Sequence, residues 1–132
     1  MKRAPAYLIA TLLLAGCGTT SGLGTAADRL DSSAHHFYDA VHTERGPAHA
    51  TDDARALAEA TRDFNRAVDG SRSRDELQPS FDRVAERYHD LRQQVADRDT
   101  RYAGDGVAFD RVTEAYLDVE RAMNYPGSAA RN

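Results

Sequence analysis

Cysteine occurs once in the 132 residues, at Cys17, and lysine once, at Lys2. With one thiol the chain forms no internal disulfide and carries neither a Cys-x-x-Cys pair nor the Cys-x-x-Cys-His of c-type haem attachment. Its stability must rest on an apolar core. No Gly-x-Ser-x-Gly elbow and no glycine-rich phosphate loop is present, which removes two frequent frames for nucleophilic and phosphoryl chemistry. The longest apolar run, Tyr7 to Ala15, spans roughly ten residues, where a helix needs ~20 to cross hydrocarbon. A transmembrane span is therefore a poor alternative.

What the first residues do contain is ordered. Lys2 and Arg3 give a basic start, the apolar run follows, and Leu14-Ala15-Gly16-Cys17 closes it. A basic segment, an apolar segment and small residues at a junction are the parts of a secretory signal. With cysteine directly after the small residues, the stretch resembles the lipobox of bacterial lipoproteins. That resemblance implies that residues 1–16 are removed as a signal peptide. Cys17 then carries a thioether-linked diacylglycerol and a third acyl chain (palmitate-type) on its new amino group. Each buried methylene contributes ~0.8 kcal/mol, so two or three chains hold effectively permanently. Gly18 stands where an aspartate favours inner-membrane retention in enteric-type bacteria, so the resemblance points to the outer membrane, facing the periplasm.

Removal of residues 1–16 leaves 116 residues, enough for one domain with one core. In that remainder 15 basic residues, all arginine, face 21 acidic ones, a formal charge of −6. The sign argues against nucleic acid as a partner and against adhesion to anionic headgroups. Wall-linked lipoproteins of the Braun type resemble long unbroken heptads ending in a lysine joined to peptidoglycan. Here the heptads break three times and no lysine follows Lys2, so a lysine-mediated wall linkage is not expected.

Residues 17–24, the cysteine and a Gly/Ser/Thr stretch, are expected to form a lipidated, flexible tether. Thr25 then reads as a helix N-cap, followed by an apolar stripe at Leu30, Ala34, Phe37 and Val41, with a stop near Thr43 before Arg45-Gly46-Pro47. Thr51-Asp52-Asp53 reads as the next cap, with a stripe at Ala54, Leu57, Thr61, Phe64 and Val68 ending at Gly70. Ser73-x-x-Glu76 has the form of a capping box, but it would place Pro79 inside a helix. The third helix is therefore expected to start at Pro79, and its stripe is Phe81, Val84, Tyr88, Leu91 and Val95. After a polar loop over 99–106, Phe109, Val112, Tyr116, Val119 and Met123 form a fourth stripe ended by Tyr125-Pro126-Gly127. Nothing after Cys17 alternates as a strand does.

Helices three and four are related. Residues 81–90 match 109–118 at all but the fifth, seventh and ninth positions, and Phe37-x-x-Ala40-Val41 is echoed by Phe64-x-x-Ala67-Val68. Two pairs are too few for a solenoid. The expectation is an all-α, antiparallel up-down four-helix bundle over residues 25–125, with 126–132 as a disordered tail.

Few residues suggest chemistry. Glu86-x-x-His89 resembles half a di-iron motif, but the related helix has Glu114 followed by Leu117, and the heptad puts Glu86 and His89 on the solvent face. His35 and His42 share a helix face and could recruit His49, yet the stripe places both opposite the core and about two turns apart, ~10 Å. They read as solvated, so their replacement is expected to cost no more than about 0.5 kcal/mol. Asp97-x-Asp99 with Gly104-Asp105-Gly106 fails the EF-hand pattern at Arg101, at Tyr102 and at the terminal acid. Tyr88 and Tyr116 read as core rings whose hydroxyls find partners at the edge. No catalytic residue, metal ligand or cofactor is assigned.

The sequence thus points to a lipid-anchored, non-enzymatic interaction or scaffolding module. Its partners are the membrane through Cys17 and an envelope protein or the cell wall, without a covalent wall bond. The candidate interaction residues are Arg45 and His49 in one loop and Arg101 and Tyr102 in another, both expected at the end opposite the membrane. The competing reading is a periplasmic bundle that binds a small ligand or metal.

Overall fold

The computed structural model describes residues 5–44, 48–70, 73–97 and 106–124. They form four helices, α1 (Pro5–Thr43), α2 (Ala48–Gly70), α3 (Arg74–Asp97) and α4 (Gly106–Asn124), and no strand occurs among the described residues. Every expected apolar stripe lies inward. Leu30, Ala34, Phe37 and Val41 of α1 meet Ala54, Leu57, Thr61 and Phe64 of α2, while Phe81, Val84, Tyr88 and Leu91 of α3 face Phe109, Val112, Tyr116, Val119 and Met123 of α4. Val68 and Val95 are partly buried against this core.

Neighbouring helices run antiparallel. Arg29 reaches Asp118 at 3.3 Å and Phe37 meets Phe109, so α1 and α4 oppose. Gln94 donates to Asp53 at 2.7 Å while Phe64 meets Phe81, so α2 and α3 oppose. The close backbone approaches are α1 with α2, α1 with α4 and α2 with α3. Alanines line the first two: Ala27, Ala34, Ala54 and Ala115 are almost wholly buried. Small side chains let helix axes approach, whereas α3 and α4 meet through stacked tyrosine rings. The architecture is the antiparallel four-helix bundle expected from the four stripes.

Helix starts differ from expectation, always by extension upstream. Thr25 is not an N-cap: α1 runs through it and through Gly22, Leu23 and Gly24, within the stretch expected as tether. Leu23 packs against the core and Ala26 and Ala27 are buried, so the stripe begins a turn before Leu30. In α2, Ala50 is buried and the helix starts at Ala48, placing Thr51 inside it.

The largest correction concerns α3, which begins at Arg74 and carries Pro79 internally. An interior proline costs about 3 kcal/mol because it deprives a carbonyl of its donor and crowds it. Here that carbonyl belongs to Asp75, an exposed residue, where water can serve. Three contacts offset the remaining cost. Leu77 is buried, worth about 1.5–3 kcal/mol. The Glu76 amide donates to Ser73 Oγ at 3.4 Å, and Arg74 donates to the Ala122 carbonyl at 2.9 Å, satisfying one of the last acceptors of α4. The Ser73 cap and the burial of Leu77 together set the start. Ser73→Ala is expected to lower stability by about 0.5–1 kcal/mol, the lower half of the range for caps because the bond is long. An unchanged urea midpoint would return the effective start to Pro79.

Candidate functional site

The helix termini that carry the proposed interaction loops lie together. α1 ends at Thr43 and α2 starts at Ala48, α3 ends at Asp97 and α4 starts at Gly106, and the antiparallel order puts all four termini at one end of the bundle. Arg45, Arg101 and Tyr102 fall outside the described residues, as does the His49 side chain in the first turn of α2. Cys17 falls within the helical span of α1.

Two groups of side chains between helices have defined geometry. One is a continuous ladder of six rings. Phe64 meets Phe81 at 5.8 Å, Phe81 stacks on Tyr116 at 6.0 Å and Tyr116 on Tyr88 at 4.0 Å. Tyr88 then stacks on Phe109 at 6.0 Å, which meets Phe37 at 5.4 Å. The ladder is two-fold in character: exchanging α1 with α2 and α3 with α4 maps each contact onto its counterpart. Interplanar angles follow, 56° and 53° for the outer pairs and 12° for both Phe–Tyr stacks. The repeat in the sequence is thus a repeat in space, with the tyrosine pair at its centre. The pairing itself was not foreseen. Its signal was available, because equivalent positions on two antiparallel related helices meet where the helices cross.

Both tyrosine hydroxyls have partners at the edge, as expected. Tyr88 donates to Thr113 Oγ1 and Tyr116 to Glu120 Oε2, each at 3.1 Å. Burial, with the Glu120 hydrogen bond, pushes the Tyr116 phenol well above its ordinary value. The fold favours the neutral phenol, so this contribution is complete below the ordinary value of 10.0 and is lost as pH rises beyond it. Urea midpoints measured through the alkaline range are expected to fall, and to fall less in Tyr116→Phe. Equal slopes in both proteins would remove Tyr116 as the cause.

The second group corrects the reading of His35. This imidazole does not stand opposite the core in free solvent; it is half-buried in the seam between α1 and α2. Its Nδ1 lies 2.9 Å from the Asp31 carbonyl and 3.0 Å from Asp31 Oδ1, and its Nε2 lies 2.6 Å from Arg62 Nη2. A guanidinium only donates, so Nε2 accepts and the ring proton sits on Nδ1. Thr61, buried beside it, donates to the Ala58 carbonyl at 2.9 Å and reaches Asp31 Oδ1 at 3.5 Å. Alone, the α1 sequence could not show this, since Arg62 arrives from another helix. His35→Ala is accordingly expected to cost about 1 kcal/mol, the ordinary net value of an intramolecular hydrogen bond, rather than nothing. Thermal melts beside His36→Ala, an exposed position, give the comparison.

His42 is exposed and its ring lies over Tyr38 at 5.8 Å. Glu86, His89 and Glu114 are exposed, and His89 sets its ring edge against Tyr88 and Tyr116 at 5.3 and 5.8 Å. Among the described residues no group of three or more His, Cys, Asp or Glu side chains converges to hold a metal ion. No described helix is long and apolar enough to cross a membrane. His35 has both nitrogens occupied and Tyr88 and Tyr116 have their hydroxyls engaged: Arg62–His35 and Tyr88–Thr113 join helices, and Tyr116–Glu120 lies within α4.

The chain matches no protein-family model, no curated protein and no solved structure.

Proposed function

We propose that this protein is a lipid-anchored lipoprotein of the bacterial envelope, and that its bundle serves as a non-enzymatic interaction or scaffolding module. The observation that carries the reading is Leu14-Ala15-Gly16-Cys17 following a basic start and an apolar run. Acylation at Cys17 places the bundle on the periplasmic face, favouring the outer membrane because Gly18 follows. Of the side chains best suited to chemistry, His35 and Tyr88 are committed to bonds between helices and the Tyr116 hydroxyl to Glu120 within α4, which supports a binding rather than a catalytic role. A partner in this reading is an envelope protein or non-covalently bound cell wall, met at the end where residues 44–47 and 98–105 connect the helices.

The test is chemical. Mass spectrometry of protein extracted from membranes is expected to show Cys17 as an acylated N-terminus. In-cell crosslinking from positions 45 and 101 is expected to capture a defined envelope partner. An unmodified Cys17 overturns the anchor. Hydrolysis of a cell-wall or lipid substrate by purified protein, abolished by one point substitution, overturns the non-enzymatic role.

A further inference from the structure

The seam between α1 and α2 is closed by few polar contacts, and the shortest of them depends on a proton. Among the described residues three side-chain hydrogen bonds cross between these helices. Arg55 reaches the Tyr38 hydroxyl at 3.4 Å and Thr61 reaches Asp31 Oδ1 at 3.5 Å, both near the limit of a hydrogen bond. Arg62 to His35 Nε2, at 2.6 Å, is the short one. A guanidinium carries donors only and never gives up its charge, so this contact exists only while Nε2 holds no proton. The other ring nitrogen has partners that suit either state. Nδ1 donates to the Asp31 carbonyl at 2.9 Å, and Asp31 Oδ1 lies 3.0 Å from it, ready to pair with a charged ring.

We propose that His35 is a proton-operated clasp between α1 and α2. Neutral, the ring ties α1 to Arg62 of α2. When Nε2 takes up a proton, both sides of that contact become positively charged donors, and they part. The imidazolium keeps the carbonyl and carboxylate of Asp31, which belong to its own helix. One proton thus exchanges a bond between helices for an ion pair within one. Imidazole is the side chain that ordinarily changes charge between about pH 5 and 8, which sets the range in which the clasp works. Along α1 the titratable groups within two turns of His35 on this seam are Asp28, Asp31, Asp39 and His42, with His36 beside it. On α2, Glu59, Asp63 and Arg66 lie within about a turn of Arg62. α4 meets the other flank of α1, where Arg29 pairs with Asp118, and α3 meets α2 through Gln94 and Asp53. Arg62 alone of these charges is bonded to Nε2. Arg62 is exposed and swings into water, while the buried Ala34 and Ala54 keep the two backbones together. Acid therefore opens the polar edge of the seam and releases a guanidinium to the surface, without unfolding the bundle. The clasp asks nothing of Cys17 and stands apart from the lipid anchor.

The test uses the full chain purified in detergent. Nitrogen-15 NMR of the imidazole at pH 8 is expected to show the bare ring nitrogen of His35 as Nε2. A double-mutant cycle of His35→Ala and Arg62→Ala, read as urea unfolding equilibrium constants, then measures the contact itself. Its coupling is expected to be about fivefold at pH 8, the ordinary net worth of one intramolecular hydrogen bond. At pH 5 it should vanish or change sign. His35→Gln offers Arg62 an acceptor that does not titrate, so the cycle of Gln against Ala at position 35, each with Arg62 and with Arg62→Ala, should read the same at both pH values. A bare Nδ1 at pH 8 overturns the clasp, as does a histidine cycle with no coupling at pH 8 or with equal coupling at pH 8 and pH 5. So does a glutamine cycle that loses its coupling in acid as the histidine cycle does, because the titrating group would then lie elsewhere.

Discussion

Phe109→Ala is expected to destabilise the bundle by about 3–5 kcal/mol, the range for removing a buried phenylalanine ring. Phe109 is 6% exposed and is the junction of the ladder, touching Phe37 of α1 and Tyr88 of α3. Its loss opens a cavity where three helices meet. A domain of this size has only about 5–15 kcal/mol to lose. Phe81→Ala, its counterpart between Phe64 and Tyr116, is expected to cost a similar amount. Leu117→Ala on the exposed side of α4 should stay within about 0.5 kcal/mol. Urea denaturation of the three variants measures this directly. A Phe109 cost near that of Leu117 would mean the α3–α4 half of the core is loosely packed, and the ladder would lose its structural standing. Paired with Phe37→Ala, Phe109→Ala should show a coupling of about 0.5–1.5 kcal/mol, as aromatic pairs do.

Cys17→Ser is expected to abolish acylation and with it membrane retention. Formation of the thioether needs a thiolate nucleophile, and a serine hydroxyl does not supply one. The variant should accumulate with residues 1–16 attached or appear in the soluble fraction, whereas wild type is expected to partition with membranes. Fractionation with intact-mass measurement separates these outcomes, and full membrane retention of an unacylated Cys17→Ser protein would refute lipid anchoring. Folding should be unaffected, because the core begins only at Leu23. A matching thermal melt of the extracted variant checks that independence. The contrast with Phe109 is useful: one substitution removes the address and spares the fold, the other does the reverse.

The four stripes needed no tertiary information, because apolar residues repeating at three and four mark one face of a helix whatever it packs against. From Leu30 to Val41, from Ala54 to Phe64, from Phe81 to Leu91 and from Phe109 to Met123, the expected inward residues are the buried ones. Broken heptads with short connections also sufficed to make the bundle antiparallel. Local chemistry proved a weaker guide to where helices begin. Thr25, Thr51 and Pro79 each offer a plausible start, and each is overridden because a packed side chain upstream (partly buried Leu23, or buried Ala50 or Leu77) extends the helix. Caps are worth about 1 kcal/mol and a buried leucine about 1.5–3, so packing decides.

By itself the sequence determined the lipobox resemblance, the class of fold and the list of core rings. Only the tertiary structure decided which rings touch, that Tyr88 and Tyr116 stack at the centre of a two-fold ladder, and that His35 is held between Asp31 and Arg62. The division has one physical reason. Periodicity is a property of a single helix and can be read along the chain, whereas a contact between helices depends on register and rotation. Those are set only when all four stripes compete to fill one volume.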